Sequence, residues 1–288
     1  MSVSTREESL AALRWLIEAG ADETLAETPL NRFVSRGAAP EAASRQSPKP
    51  PLPDPAPRIR SAGSALQQGE GRKIAASAEA VSLSTAPGAA RALAASCHTL
   101  AELKTAISGF EGCDLKRTAT NTVFADGNPA GRIMLIGEAP GRDEDEQGLP
   151  FVGRAGKLLD RMLAAIGLDR TKVYITNVLN WRPPQNRDPT PEEAATCLPF
   201  LHRHIELADP QILILLGAVS ARHVLGTSEG IMRLRGRWEV FQSVGLGRAI
   251  PVMPTLHPAF LLRQPAAKRL AWRDLLAVAE KIDELKLA

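Results

Sequence analysis

In Arg132-Ile133-Met134-Leu135-Ile136-Gly137-Glu138-Ala139-Pro140-Gly141 an unbroken apolar run ends in a turn punctuated by glycine and proline. A half-buried strand alternates polar and apolar residues, whereas an unbroken run marks a strand covered on both faces, as in a parallel sheet. Further strands are expected downstream at 173–176, 211–216 and 250–255, with helical periods between them. Residues 154–166 put Leu158, Leu159, Met162 and Leu163 on the inner side of one helix, and 268–285 form a last amphipathic helix. Pro191 suits a first helical position, with Glu192 and Glu193 favoured by the positive end of that helix's dipole. Residues 233–242 have the polar and aromatic mixture of a hairpin. The alternation predicts an α/β fold, a three-layer sandwich around a central, mainly parallel four-stranded sheet. Ligands of such sheets collect beyond the carboxyl ends of the strands.

Upstream the character changes. Residues 1–35 carry a short amphipathic helix at 5–19, with Leu10, Leu13, Trp15, Leu16 and Ile17 at near-helical spacing and Thr5 and Glu8 as a capping box. That helix either docks on a partner or on its own domain, or has no separable function. Residues 36–95 turn to Ala, Ser, Pro and Gly, including Ser47-Pro48-Lys49-Pro50-Pro51-Leu52-Pro53, and read as a disordered linker. The catalytic domain is expected over 96–288. At 288 residues, 44% hydrophobic and 23% charged, the chain is long enough to bury one substantial core. A net charge of +3 decides nothing about a nucleic-acid partner, because only a clustered patch would count.

Glu7 and Glu8 near the start fit neither a signal peptide nor a transit peptide, and the apolar run at 212–216 is far short of the roughly 20 residues a bilayer needs. A cytoplasmic protein with no membrane association is expected. Three cysteines, Cys97, Cys113 and Cys197, are too few and too scattered for a disulfide framework or a four-thiolate metal site.

Three segments lie directly after expected strands: residues 137–141, Asn177, and His257-Pro258. Each has a plain explanation, as a tight turn, a turn former or a hydrogen-bonded structural histidine, so their joint spacing carries the argument. No glycine-rich phosphate loop follows the first strand, and the Gly-x-Ser-x-Gly, His-Glu-x-x-His and Cys-x-x-Cys patterns are all missing. Nucleotide, serine-hydrolase, zinc and dithiol chemistries lose their usual signatures.

The run 137–141, Glu144-Asp145 and Gly148-Leu149-Pro150-Phe151-Val152-Gly153-Arg154-Ala155-Gly156-Lys157-Leu158-Leu159 resembles the first motif of family 4 uracil-DNA glycosylases. Tyr174-Ile175-Thr176-Asn177-Val178, Arg182-Pro183-Pro184-Gln185-Asn186-Arg187 and Thr255-Leu256-His257-Pro258-Ala259-Phe260-Leu261-Leu262-Arg263 are similar to its later motifs, in the same order. The resemblance covers about 113–275 and implies an enzyme that flips uracil out of DNA and hydrolyses its N-glycosidic bond, leaving an abasic site. It implies that Phe151 stacks on the base, with Gly137 and Ala139 beside it. Asn177 would pair with the N3 hydrogen and O4 of uracil, and His257 would donate to O2, where charge develops.

Family 1 relatives have an aspartate where this chain has Ala139, which leaves Glu138 and Glu144 as equal candidates to orient water. Turn capping or ion pairing is the alternative for both. Gly141 stands where those relatives carry a tyrosine, which implies a roomier pocket. Arg182, Arg187 and Arg263 either hold phosphates or are ordinary solvated charges. Phe260, Leu261 and Leu262 form an apolar run able to wedge into the gap left by the base; burial of Leu261 or Leu262 is the alternative, and one of the three is expected to be exposed.

Family 4 enzymes usually hold a four-iron, four-sulfur cluster with four cysteines. The matched motifs put Phe110, Cys113, Trp181 and Cys197 at those positions, so only Cys113 and Cys197 match, and apolar packing is expected to replace the cluster. The expected protein is therefore cofactor-free, monofunctional and monomeric, and its partner is uracil-containing DNA. The loop 179–190 has no histidine to trap the sugar covalently, as one variant of the superfamily does. The alternative is a DNA-binding or replication accessory that kept the fold and lost turnover.

Overall fold

Three five-residue strands, β2 (Ile133–Gly137), β3 (Val173–Asn177) and β4 (Ile212–Leu216), are buried along their whole length. The computed structural model that shows this describes residues 85–243 and 245–287. The expected helix at 5–19 and the expected linker up to residue 84 lie outside the described residues. With β6 (Ala249–Thr255), the three strands form a parallel core in the order β3-β2-β4-β6.

Alternate side chains leave opposite faces of this core, as the two-residue period of a strand demands. Met134, Ile136, Tyr174, Leu213 and Leu215 meet one helical layer. It consists of α1 (Ala86–Ala95), α2 (Leu100–Gly109) and α6 (Pro191–Ala208), which contribute Ala90 and Ala94, Leu103 and Ile107, and Phe200 and Ile205. Ile133, Leu135, Val173, Ile175 and Ile214 meet α5 (Arg154–Ala164) and α10 (Lys268–Leu285) through Leu159, Leu163, Val278 and Ile282. The three expected layers are present. α6 starts as its sequence suggests, with Thr190 and Glu193 closing a capping box ahead of Pro191.

The sheet departs from four strands. Two short antiparallel strands flank it, β1 (Asp126–Gly127) on β3 and β5 (Glu239–Gln242) on β6, giving six strands among the described residues. Neither carries an unbroken apolar run, because an edge strand has one side open to solvent. The stretch 233–242 is no self-contained hairpin: it begins in α8 (Ile231–Leu234), and only 239–242 are extended, pairing Phe241 with Ile250 on the open edge of β6. α1 falls inside the stretch read as linker. Its sequence is mostly alanine, which favours helix as readily as it marks low complexity, and its small buried residues pack against α6.

A buried ion pair ties α10 to the end of β6. Asp274 accepts from Thr255 Oγ1 at 2.6 Å and from Arg235 Nε at 3.0 Å, and Arg235 Nη2 also donates to the Leu270 carbonyl at 2.7 Å. Burial pushes the Asp274 carboxyl above the usual carboxylate range, with the bonds from Thr255 and Arg235 opposing it. Removing Arg235 leaves a buried charge without its partner, a loss of about 3 kcal/mol. Arg235→Met is therefore expected to lower the unfolding free energy by about that amount at pH 7. Because the folded pKa lies above the unfolded one, the deficit should shrink as pH falls and the folded state takes up the proton. Urea unfolding at pH 7 and pH 5 measures both.

Candidate active site

The strand register brings the three expected segments together. Gly137 pairs with Asn177 across β2 and β3, and Leu216 pairs with Thr255 across β4 and β6, so the strands end level. Val178 N donates to Gly137 O at 3.0 Å and Leu179 N to Glu138 O at 3.1 Å, extending the β2–β3 zipper past both strands. Above these ends lies a cavity of about 600 Å³ lined by Glu138, Ala139, Gly141, Phe151, Asn177 and His257, among others.

Asn177 is 4% exposed and faces this cavity. Among the described residues its carboxamide has no hydrogen-bond partner. Buried amides are nearly always paired, so the Asn177 donors and acceptor facing the cavity are unspent within the protein. Gly137 permits the arrangement: a Cβ there would lie 2.3 Å from Asn177 Oδ1 and 2.6 Å from the Phe151 ring.

Phe151 is 5% exposed, and its ring centroid lies 5.6 Å from that of His257 at 30°. Its φ of 55° is left-handed, a conformation that costs a bulky residue about 1–3 kcal/mol and marks a place where surroundings dictate the backbone. Part of that constraint is Gly156 on α5, where a Cβ would fall 1.6 Å from the Phe151 carbonyl oxygen.

His257 caps α9 (Pro258–Arg263), and its Nδ1 accepts from Ala259 N at 3.1 Å. A ring nitrogen that accepts carries no proton, which assigns the hydrogen to Nε2. Burial, with a smaller contribution from Arg263, pushes the imidazole down to about 4. At neutral pH it is an uncharged Nε2–H donor.

The two glutamates separate. Glu144, on α4 (Arg142–Gln147), accepts from Gly141 N at 3.1 Å, Val152 N at 3.0 Å and Gly153 N at 2.9 Å. Its carboxylate is spent on tying the turn after β2 to the Phe151 loop, which corrects its equal standing with Glu138 as a water-handling group. Glu138 makes no such bonds among the described residues. Burial raises its carboxyl above the usual range and Asp188 adds to this, while Arg222 and Arg263 pull it back.

At the mouth, Phe260 and Arg263 line the cavity. Leu262 is 38% exposed, but Leu261 is fully buried against Leu158, Met162 and Leu275 and offers nothing to DNA, a correction to its expected wedge role. The helical turn of α9 explains this, since consecutive residues point about 100° apart. Arg187 borders the cavity yet forms a two-pronged pair with Glu193, at 2.8 and 2.6 Å. Arg182 donates to Asn186 Oδ1 at 2.8 Å and is not part of the lining. Sequence reading missed Asp188, the segment Gly217 to Val219 after β4, and Ile231 and Met232 in the lining. Asp188 directly follows a quoted motif and was within reach, whereas Met232 sits in a four-residue helix with no pattern to flag it.

The four positions aligned with cluster ligands are all buried. Phe110, Cys113, Trp181 and Cys197 share one core cluster, where Phe110 packs edge-on against Phe200 at 5.1 Å and Trp181 Nε1 donates to Thr122 Oγ1 at 3.0 Å. Two thiols and two aromatic rings do not fit a cluster that needs four thiolates. Among the described residues no group of three or more His, Cys, Asp or Glu side chains is placed to hold a metal ion.

Residues 124–276 match the model of the uracil DNA glycosylase superfamily. A type-4 uracil-DNA glycosylase of Archaeoglobus fulgidus is 44% identical over 172 residues, covering 58% of this chain and 85% of the relative. One from Thermotoga maritima is 44% identical over 155 residues, 52% of this chain and 77% of the relative. One from Sulfurisphaera tokodaii is 38% identical over 187 residues, 63% of this chain and 84% of the relative. The family match and these relatives place the chain in the uracil DNA glycosylase superfamily, on its type-4 branch.

Proposed function

We propose that this protein is a uracil-DNA glycosylase of DNA repair, a hydrolase that excises uracil and leaves an abasic site. The supporting observation is the buried, unpartnered carboxamide of Asn177 beside an aromatic ring and a neutral imidazole. A base inside a duplex hides its glycosidic bond, so the uracil is flipped into the cavity and stacks on Phe151. Asn177 Oδ1 accepts from uracil N3–H and Nδ2 donates to O4; cytosine, with an acceptor N3 and an amino group, leaves both unsatisfied.

As the bond from C1′ to N1 lengthens, its electron pair moves into the base, and His257 Nε2–H stabilises the charge on O2. Glu138 orients a water whose oxygen bonds to C1′, and its carboxylate takes the proton released. Arg263, Phe260 and the exposed Leu262 meet the DNA at the cavity mouth. The enzyme works as a cofactor-free monomer in the cytoplasm. No helix of the described residues is long and apolar enough to cross a membrane.

Uracil release from a single-stranded oligonucleotide tests the assignment. Asn177→Ala and His257→Ala are each expected to slow it about 10²–10³-fold, the loss typical of one preorganised donor. Full-rate release by both variants contradicts the site, and no release by the unaltered protein returns the accessory-protein reading.

The pH profile tests Glu138. Only the ionised carboxylate serves as base, so the rate should fall as pH drops through its raised pKa, above the ordinary value of about 4.3. Glu138→Gln should be slower but hold its residual rate to lower pH than the unaltered protein. An acid limb unmoved by that substitution rules Glu138 out.

Anaerobically purified protein is expected to be colourless with little bound iron. Brown protein with stoichiometric iron overturns the cofactor-free reading.

A further inference from the structure

We infer that Arg170 is a positioning residue for Phe151, its guanidinium holding the turn at Pro150 and Phe151 in the left-handed conformation that presents the ring to the cavity. The inference rests on the proposed stacking role of Phe151. Arg170 belongs to none of the motifs that carry the family resemblance; it sits in the turn between Asp169 and Thr171, ahead of β3.

All three guanidinium nitrogens donate. Nη2 donates to Phe151 O, and Nη1 donates to Pro150 O at 3.2 Å and to the Asp126 carboxylate. Nε donates to Asp160 Oδ1 at 2.8 Å. Asp126 lies on β1 and Asp160 on α5, so the guanidinium is itself fixed from the sheet edge and from a helix. Through Pro150 O Arg170 holds the peptide that precedes Phe151, while its bond to Phe151 O and the Glu144 bonds to Val152 N and Gly153 N hold the peptides that follow. A left-handed phenylalanine relaxes unless both sides are held, and the Glu144 bonds alone fix only the peptides that follow it. A lysine keeps the charge but has no planar fork to reach two carbonyls and two carboxylates at once.

In the full-length protein, Arg170→Met is expected to slow single-turnover uracil release about 10- to 100-fold, the scale of a small misplacement of a group that holds the substrate. Arg170→Lys should not rescue it. In a Phe151→Ala background the same substitution should slow release by less than about twofold, because the residue through which it acts is gone. A general loss of stability would slow both backgrounds alike.

Replacing Phe151 with 4-fluorophenylalanine gives a readout independent of turnover. The fluorine resonance should shift or broaden in Arg170→Met at temperatures well below both melting transitions. Equal slowing in both backgrounds, or an unchanged resonance, overturns the inference. If the unaltered protein releases no uracil, the functional reading falls, while the resonance still decides whether Arg170 sets the ring. Should Arg170→Met fail to fold, the same comparisons are read on Arg170→Lys.

Discussion

A strand buried on both faces tolerates almost no polar side chain along its length, because each would sit in hydrocarbon without water. β2 and β4 carry none, and in β3 the Tyr174 and Thr176 hydroxyls are each hydrogen-bonded while Asn177 stands at the end. Parallel pairing then puts the strand ends on one edge, and the level register of Gly137 with Asn177 and Leu216 with Thr255 keeps the edge narrow. Everything at the site follows from this. The cavity is a consequence of packing helices on both faces of a short parallel sheet and leaving its carboxyl edge open.

The same dryness prepares the protonation states. Burial disfavours charge whatever its sign, so it pushes His257 toward the neutral imidazole and Glu138 toward a stronger base. In the mechanism proposed above, a neutral donor at His257 meets charge as it develops on the base without first attracting it in the ground state, which is how a preorganised dipole favours a transition state over a substrate. Arg263 acts on both groups in the same direction, lowering each pKa.

Residue type alone does not assign work. Glu138 and Glu144 are six residues apart in one motif, yet the backbone places three amides around Glu144 and none around Glu138. One becomes a clasp, and the carboxylate of the other takes no hydrogen bond among the described residues. The region around Cys113 and Cys197 makes the same point for cofactors. Phe110 and Trp181 lie buried in the same core as these two thiols, and a tryptophan that needs a polar partner finds it in Thr122.

Unbroken apolar runs made β2 and β4 legible, shorter apolar-rich stretches β3 and β6, and the helical spacing of Leu158, Leu159, Met162 and Leu163 did the same for α5, because burial on a fixed side imposes a period that sequence records directly. The edge strands β1 and β5 left no such record, and alanine-rich α1 looked like linker. Asn177, Phe151 and His257 were readable as candidates through motif order and their place after strands. What sequence determined, then, is the set of residues that must be inside and the points at which strands end. Only the tertiary structure decided which of two glutamates is satisfied by amides, which of Leu261 and Leu262 is buried, which nitrogen of His257 carries its proton, and that Arg170 reaches the Phe151 turn. Those outcomes depend on distances of a few ångströms between segments far apart in the chain, and no local pattern encodes them.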